Sequence, residues 1–160
     1  MLIIDQATYD AIVAHARRDH PDEACGVVTG PEGSGRAERF VPVPNAAMSP
    51  TYYEFSSEDL LQVHKDLWER DEEIVVTYHS HTATEAYPSR TDIARAEEPN
   101  SHYVIVSTRD GAHEQSYDGP VEFRSYRIVD GVVTEEDVKI VAAYSELPSS
   151  ESDSSEPGDN

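Results

Sequence analysis

Apolar positions along the chain switch between two periods. Residues 2–4 (LII) form a short continuous apolar run and predict a brief strand. Asp5 is placed to cap a following helix, in which Ala7, Ile12, Val13 and Ala16 recur at roughly helical spacing. That helix should stop before Pro21, because the residue preceding a proline is pushed out of the α region. EACGVVTG (23–30) then reads as a strand, GPEGSG (30–35) as a hairpin turn, and RFVPV (39–43) as a second strand. Its proline interrupts the ladder, which assigns it to a sheet edge.

YYEF (52–55) has the composition of another strand. Ser56 and Asp59 make a capping-box pattern ahead of LLQVHKDLWER (60–70), where Leu60, Leu61, His64, Leu67 and Trp68 share one face. IVVTYH (74–79) is nearly continuous in apolar residues and reads as a buried strand. Ser89 and Asp92 repeat the capping-box pattern and should start a helix running to about Glu98. HYVIVST (102–108), VEFRSYRIV (121–129) and VVTEEDVKIV (132–141) supply the remaining strands, the last two joined by an Asp130-Gly131 turn. Short helices with a largely hairpin-connected sheet define an α+β domain, expected over residues 1–145.

Composition changes that picture in three places. The net charge of −20 argues against nucleic-acid binding, since phosphate contacts need Lys and Arg. The single cysteine, Cys25, excludes an internal disulfide and any cysteine-rich zinc finger. Residues 146–160 (ELPSSESDSSEPGDN) carry five acidic residues, no basic one and almost nothing apolar, so a disordered acidic tail is expected there. The start of the chain, MLIIDQATYD, has no basic region. No apolar run approaches the ~20 residues of a membrane-spanning helix. The expectation is a cytoplasmic protein without membrane association.

Candidate chemistry concentrates in YHSHTATEAYPSRTD (78–92). If the strand before it persists through His79 and His81, positions i and i+2 project from one face and their imidazoles can converge on one metal. Asp92, at the third position of the next helix, can add a carboxylate. Two nitrogens, one oxygen and an open fourth position suit a catalytic zinc better than a structural one. The same residues are equally compatible with a polar loop, because a helix cap already accounts for Ser89 and Asp92. Cys25 lies in an apolar strand and reads as a small core residue rather than a nucleophile. His15, His20, His64, His102 and His113 lack comparable ligand spacing. Arg90 reads first as a surface arginine.

The set Glu23 … His79-x-His81-x7-Ser89-x2-Asp92 resembles the signature of the JAMM (MPN-plus) metallopeptidases at all five positions. VAHARRDHPDEACGV, HYVIVSTRD and RSYRIVDGVVTEE extend the similarity over roughly residues 2–143. They resemble the actinobacterial branch that releases cysteine from the C-terminus of a ubiquitin-like sulfur carrier. The resemblance implies a JAMM/MPN-like, largely antiparallel mixed sheet flanked by short helices, with a cytidine-deaminase-like architecture. It further implies one zinc ion per chain on His79, His81 and Asp92. Glu23 would be the general base and acid, and Ser89 the hydroxyl donor to the oxyanion. The implied partner is a sulfur-carrier protein conjugated to cysteine. A broader isopeptidase acting on lysine-linked modifiers and a non-catalytic MPN scaffold are the alternatives.

Overall fold

The computed structural model describes residues 1–144. The expected acidic tail, 146–160, and the end of the 1–145 domain therefore lie outside the described residues. The elements run β1 (Leu2–Asp5), α1 (Gln6–Asp19), β2 (Cys25–Pro31), β3 (Arg39–Val43), α2 (Ser57–Arg70), β4 (Glu72–His81), α3 (Arg90–Arg95), β5 (His102–Ser107), β6 (Glu122–Val129), β7 (Val132–Glu136) and β8 (Val138–Val141). Six strands form one sheet in the order β3-β2-β4-β5-β6-β7, and β1 pairs with β8 in a separate two-stranded sheet. Only β4–β5 is parallel within the large sheet; its other pairs are antiparallel. This is the α+β arrangement expected from the hydrophobic pattern. Among the described residues no helix is long and apolar enough to cross a membrane.

The sheet is covered on both faces, which is why β5 is buried along its whole length. On one face Val28, Val76, Tyr78, Val104 and Val106 pack against Ile12 and Ala16 of α1 and against β1. Asp5 caps α1 by accepting a 2.8 Å hydrogen bond from the Thr8 N–H. Gly26 lies opposite Tyr78, where a Cβ would run into the tyrosine hydroxyl and the Val41 carbonyl, so the close crossing of this ring requires glycine. On the other face Tyr103, Ile105, Tyr126 and Ile128 pack with Ile93 of α3, and Val27 and Val43 pack with Val63 of α2. The site lies on this second face.

Four local expectations need correction. YYEF (52–55) is irregular rather than a strand, because side chains take its carbonyls: Asn45 Nδ2 bonds the Tyr52 oxygen and Arg95 Nη1 the Tyr53 oxygen. On α2 the expected shared face divides: Leu60, Leu61, His64 and Trp68 are exposed, Trp68 85%, and Leu67 alone of the five joins Val63 against the core. The third helix ends at Arg95 rather than Glu98. Pro99 disfavours helical backbone at Glu98, whose N–H is bonded instead by the Tyr103 hydroxyl at 2.9 Å. The expected strand 132–141 breaks at Asp137, whose carbonyl accepts from Leu2, and its second half leaves the large sheet to pair with β1. The edge position of β3 and the Asp130-Gly131 turn, both residues at positive φ, match expectation.

Candidate metal centre

Strand β4 runs through to His81, beyond the apolar run, so His79 and His81 project from the same face. Two neighbouring strands hold its end. Ser80 N–H donates to the Ala24 carbonyl and Ser80 Oγ accepts from Ala24 N–H, at 2.9 and 2.8 Å. On the other side Thr108 N–H donates to the His81 carbonyl at 2.9 Å. Asp92 enters from the first turn of α3 through a complete capping box: Ser89 Oγ accepts from Asp92 N–H, and Ser89 N–H donates back to Asp92 Oδ2 at 2.8 Å.

These elements bring His79 Nε2, His81 Nε2 and Asp92 Oδ2 into a triangle with every side 3.1 Å. Three ligands of a tetrahedral ion held at about 2.0–2.1 Å stand about 3.3–3.4 Å apart, so the triangle matches the size of a zinc face. The proton inventory points the same way. His81 Nδ1 lies 2.8 Å from the Glu85 carbonyl, which can only accept, so Nδ1 carries a hydrogen and Nε2 is the nitrogen turned toward the triangle. Burial opposes a charge on this ring, but the Asp92 carboxylate and the Glu85 carbonyl outweigh it and raise its pKa. Burial pushes the His79 pKa down and favours the neutral form of that ring. Burial also disfavours ionised Asp92, but the two imidazoles and the Ser89 N–H outweigh it and hold its carboxyl below the ordinary range. Without a metal the three atoms are held together by protons on the imidazole nitrogens, which a shared cation would displace. Among the described residues this is the one such His, Cys, Asp or Glu group.

Glu23 precedes β2 and is 5% exposed. Its backbone is held from both sides, N–H to the Ser49 carbonyl at 2.9 Å and C=O from Asn45 Nδ2 at 3.0 Å. Burial raises its carboxyl from 4.5 to about 7; the His81 charge opposes the rise and the Asp92 charge adds to it. A carboxylate that titrates near neutrality beside the triangle is suited to pick up and return a proton. Ser89 is exposed, and its capping role uses only an oxygen lone pair. The hydroxyl hydrogen stays available, so capping and donation to an oxyanion are compatible.

The remaining candidates separate cleanly. Cys25 is fully buried, its Sγ 3.4 Å from the Val43 carbonyl, and burial pushes its thiol up to about 12, the state of an inert core residue. His15 sits on the opposite sheet face between Tyr78 Oη and Asp19 at 2.7 and 2.9 Å. His20 stacks on His113, His102 bonds Glu136, and His64 is exposed on α2. Arg90 is exposed on α3. Sequence reasoning passed over Tyr53, whose ring stacks on His79 with centroids 4.5 Å apart, and Asn45, which ties residues 45–54 to Glu23. The signal for Asn45 was its turn chemistry, Oδ1 accepting from Ala47 N–H two residues on. Tyr53 carried no local signal.

Comparison with known proteins bears on the family and the fold. The family model described as prokaryotic homologs of the JAB domain matches residues 5–129. The CysO-cysteine peptidase of Mycobacterium tuberculosis is 58% identical over 144 residues, covering 90% of this chain and 94% of that protein. A Desulfitobacterium hafniense protein solved in solution superposes with a TM-score of 0.74 at 27% identity, over 89% of this chain and 94% of that one. A JAB1/MPN-domain protein from Archaeoglobus fulgidus shares the fold alone, with a TM-score of 0.55 at 16% identity over 88% of this chain and 99% of that one. The chain belongs to the family of prokaryotic JAB-domain proteins, the JAMM/MPN family its five-residue signature resembles.

Proposed function

We propose that this protein is a cytoplasmic zinc-dependent hydrolase that cleaves the amide bond between the C-terminal glycine of a ubiquitin-like sulfur-carrier protein and cysteine, releasing free cysteine. The carrying observation is the triangle of His79, His81 and Asp92 beside the buried carboxyl of Glu23. The mycobacterial relative, a CysO-cysteine peptidase, supports the substrate class.

His79, His81 and Asp92 would hold one zinc ion per chain. Zinc in such a site supplies Lewis acidity and brings the pKa of water to about 7. Glu23 takes a proton from the water that attacks the scissile carbonyl and returns it to the nitrogen of the departing cysteine as the C–N bond breaks. Ser89 donates its hydroxyl hydrogen to the oxygen of the scissile carbonyl as negative charge builds on it. The Ser89 backbone N–H and the Glu85 carbonyl keep Asp92 and His81 turned toward the centre throughout.

The test is mass spectrometry of a carrier–cysteine conjugate incubated with the protein, with and without chelator, beside the same carrier linked to a lysine side chain. Chelator-sensitive release of cysteine, faster than release of lysine, is the expected result. Equal rates on both conjugates would replace this reading with a general isopeptidase, and no cleavage by the zinc-loaded protein would leave a binding scaffold.

A further inference from the structure

The two histidines of the triangle are held in place by different means. His81 is fixed through its second nitrogen, Nδ1 to the Glu85 carbonyl at 2.8 Å. Among the described residues His79 Nδ1 has no such partner. The strand fixes the His79 backbone, but χ2 of a histidine turns in a broad well and settles little by itself. Something else must set the plane of that ring.

Of the two rings that meet it, His81 stands edge-on with centroids 5.0 Å apart, and Tyr53 stacks on its face at 4.5 Å with 24° between planes. Tyr53 is itself anchored. Arg95 Nη1 donates to the Tyr53 carbonyl at 2.6 Å, and the Arg95 guanidinium lies 5.5 Å from the Tyr53 ring and 4.9 Å from that of Tyr52. Arg95 stands three residues after Asp92 on α3, so one short helix supplies both the carboxylate and the anchor. Asn45 closes the other end: Nδ2 bonds the Tyr52 and Glu23 carbonyls at 2.9 and 3.0 Å, and Oδ1 accepts from Ala47 and Glu54 N–H. Thr82 Oγ1 adds a 2.9 Å bond to the Pro50 carbonyl. The hydrogen bonds that leave this irregular segment run to Glu23, Thr82 and Arg95, residues at or next to the site.

We propose that Tyr53 is a positioning residue that sets the ring plane of His79 by stacking, in place of the hydrogen bond that sets His81, with Arg95 as its anchor. The inference rests on the metal reading above. It explains why a segment with strand-like composition stays out of the sheet: a strand ladder would take the backbone groups that hold Tyr53 over the histidine.

The test uses the full chain stripped of metal. Co²⁺, followed by its visible absorption, and Zn²⁺, in competition with a chromophoric chelator, are titrated into the parent, Tyr53→Phe, Tyr53→Leu and Arg95→Met. Removing a group that orients a ligand typically weakens binding about 10–100-fold, the loss expected for Tyr53→Leu together with an altered cobalt spectrum. Tyr53→Phe keeps the flat ring and should stay within about threefold of the parent, while Arg95→Met should shift in the direction of Tyr53→Leu by a smaller factor. Circular dichroism checks that each variant folds; Arg95→Met leaves the Tyr53 side chain in place and decides the matter if Tyr53→Leu does not fold. Parental affinity and spectrum in Tyr53→Leu, or in Arg95→Met in that event, overturn the proposal. So does a Tyr53→Phe protein as impaired as Tyr53→Leu, since the hydroxyl would then be the acting group. Failure of the parent itself to bind either metal refutes the metal reading instead.

Discussion

Replacing Glu23 by glutamine should make the metal-free protein more stable while abolishing its chemistry, and the stability gain should depend on pH in a defined direction. Glu23 is 5% exposed, and burial raises its carboxyl from 4.5 to about 7. Between those values the folded state holds a proton that the unfolded state has released. Stability contributed by the protonated carboxyl is therefore complete below 4.5 and is lost as the pH rises through about 7. At about 1.4 kcal/mol per pH unit, the interval from 4.5 to about 7 amounts to about 3 kcal/mol. Glutamine has nearly the same shape and no charge to desolvate, so it escapes the loss.

The measurable quantity is the stability of Glu23→Gln minus that of the parent, both chelator-treated, followed by urea unfolding from pH 5 to pH 8. Taking the difference cancels the other titrating groups, which the two proteins share. It should grow from about 0.8 kcal/mol at pH 5 to about 3 kcal/mol at pH 8, roughly 5–10 °C in Tm at the upper end. Zinc should shrink the difference, because a nearby positive charge favours the ionised carboxylate. Over the same range hydrolysis by the zinc-loaded variant should fall by about 10²–10⁴. A stability difference that is flat with pH would refute burial as the cause of the raised pKa. Hydrolysis within about tenfold of the parent would move the proton-transfer role elsewhere, with Asp22 examined first.

His79→Ala and Asp92→Ala should each lose most of the zinc that co-purifies with the parent, measured by elemental mass spectrometry; full retention in both would remove them as ligands. Ser89→Ala should keep its metal, because the backbone N–H rather than the hydroxyl bonds Asp92 Oδ2, yet turn over about 10²–10³ more slowly. Parental turnover would leave Ser89 with the helix cap alone. Cys25→Ala should lower stability by about 1 kcal/mol in a denaturant titration and leave hydrolysis intact, whereas a folded, zinc-loaded but inactive variant would reopen covalent catalysis.

The parts of the fold legible in the sequence are those fixed by local periodicity or local capping. Asp5, Ser56 and Ser89 each cap the helix that their spacing announces, and Asp130-Gly131 makes the turn that its backbone preference demands. The errors share a different cause. Which residues of α2 turn inward, Val63 and Leu67, follows from where Val27 and Val43 of other strands meet the helix, and the period alone cannot tell an inward stripe from an outward one. The split at Asp137 is decided by Leu2, at the far end of the chain, and no window around 132–141 contains that information.

The same division runs through the site. Every atom of the His79–His81–Asp92 triangle comes from one window, because a strand places i and i+2 on one face and a capping box aims its third-position carboxylate backward over the helix start. Those are short-range rules, so His79, His81, Ser89 and Asp92 can be found by spacing even though spacing alone does not reveal what they do. What makes the cluster reactive comes from elsewhere in the chain: Glu23 is buried by packing around β2 and held by Ser49 and Asn45, and Tyr53 reaches His79 from a segment whose composition suggests a strand. Burial of Glu23 is also the largest cause of its raised pKa, and burial is a property of the assembled sheet. Ligand identity is thus written locally, while basicity and ring orientation appear only when distant segments fold against those ligands.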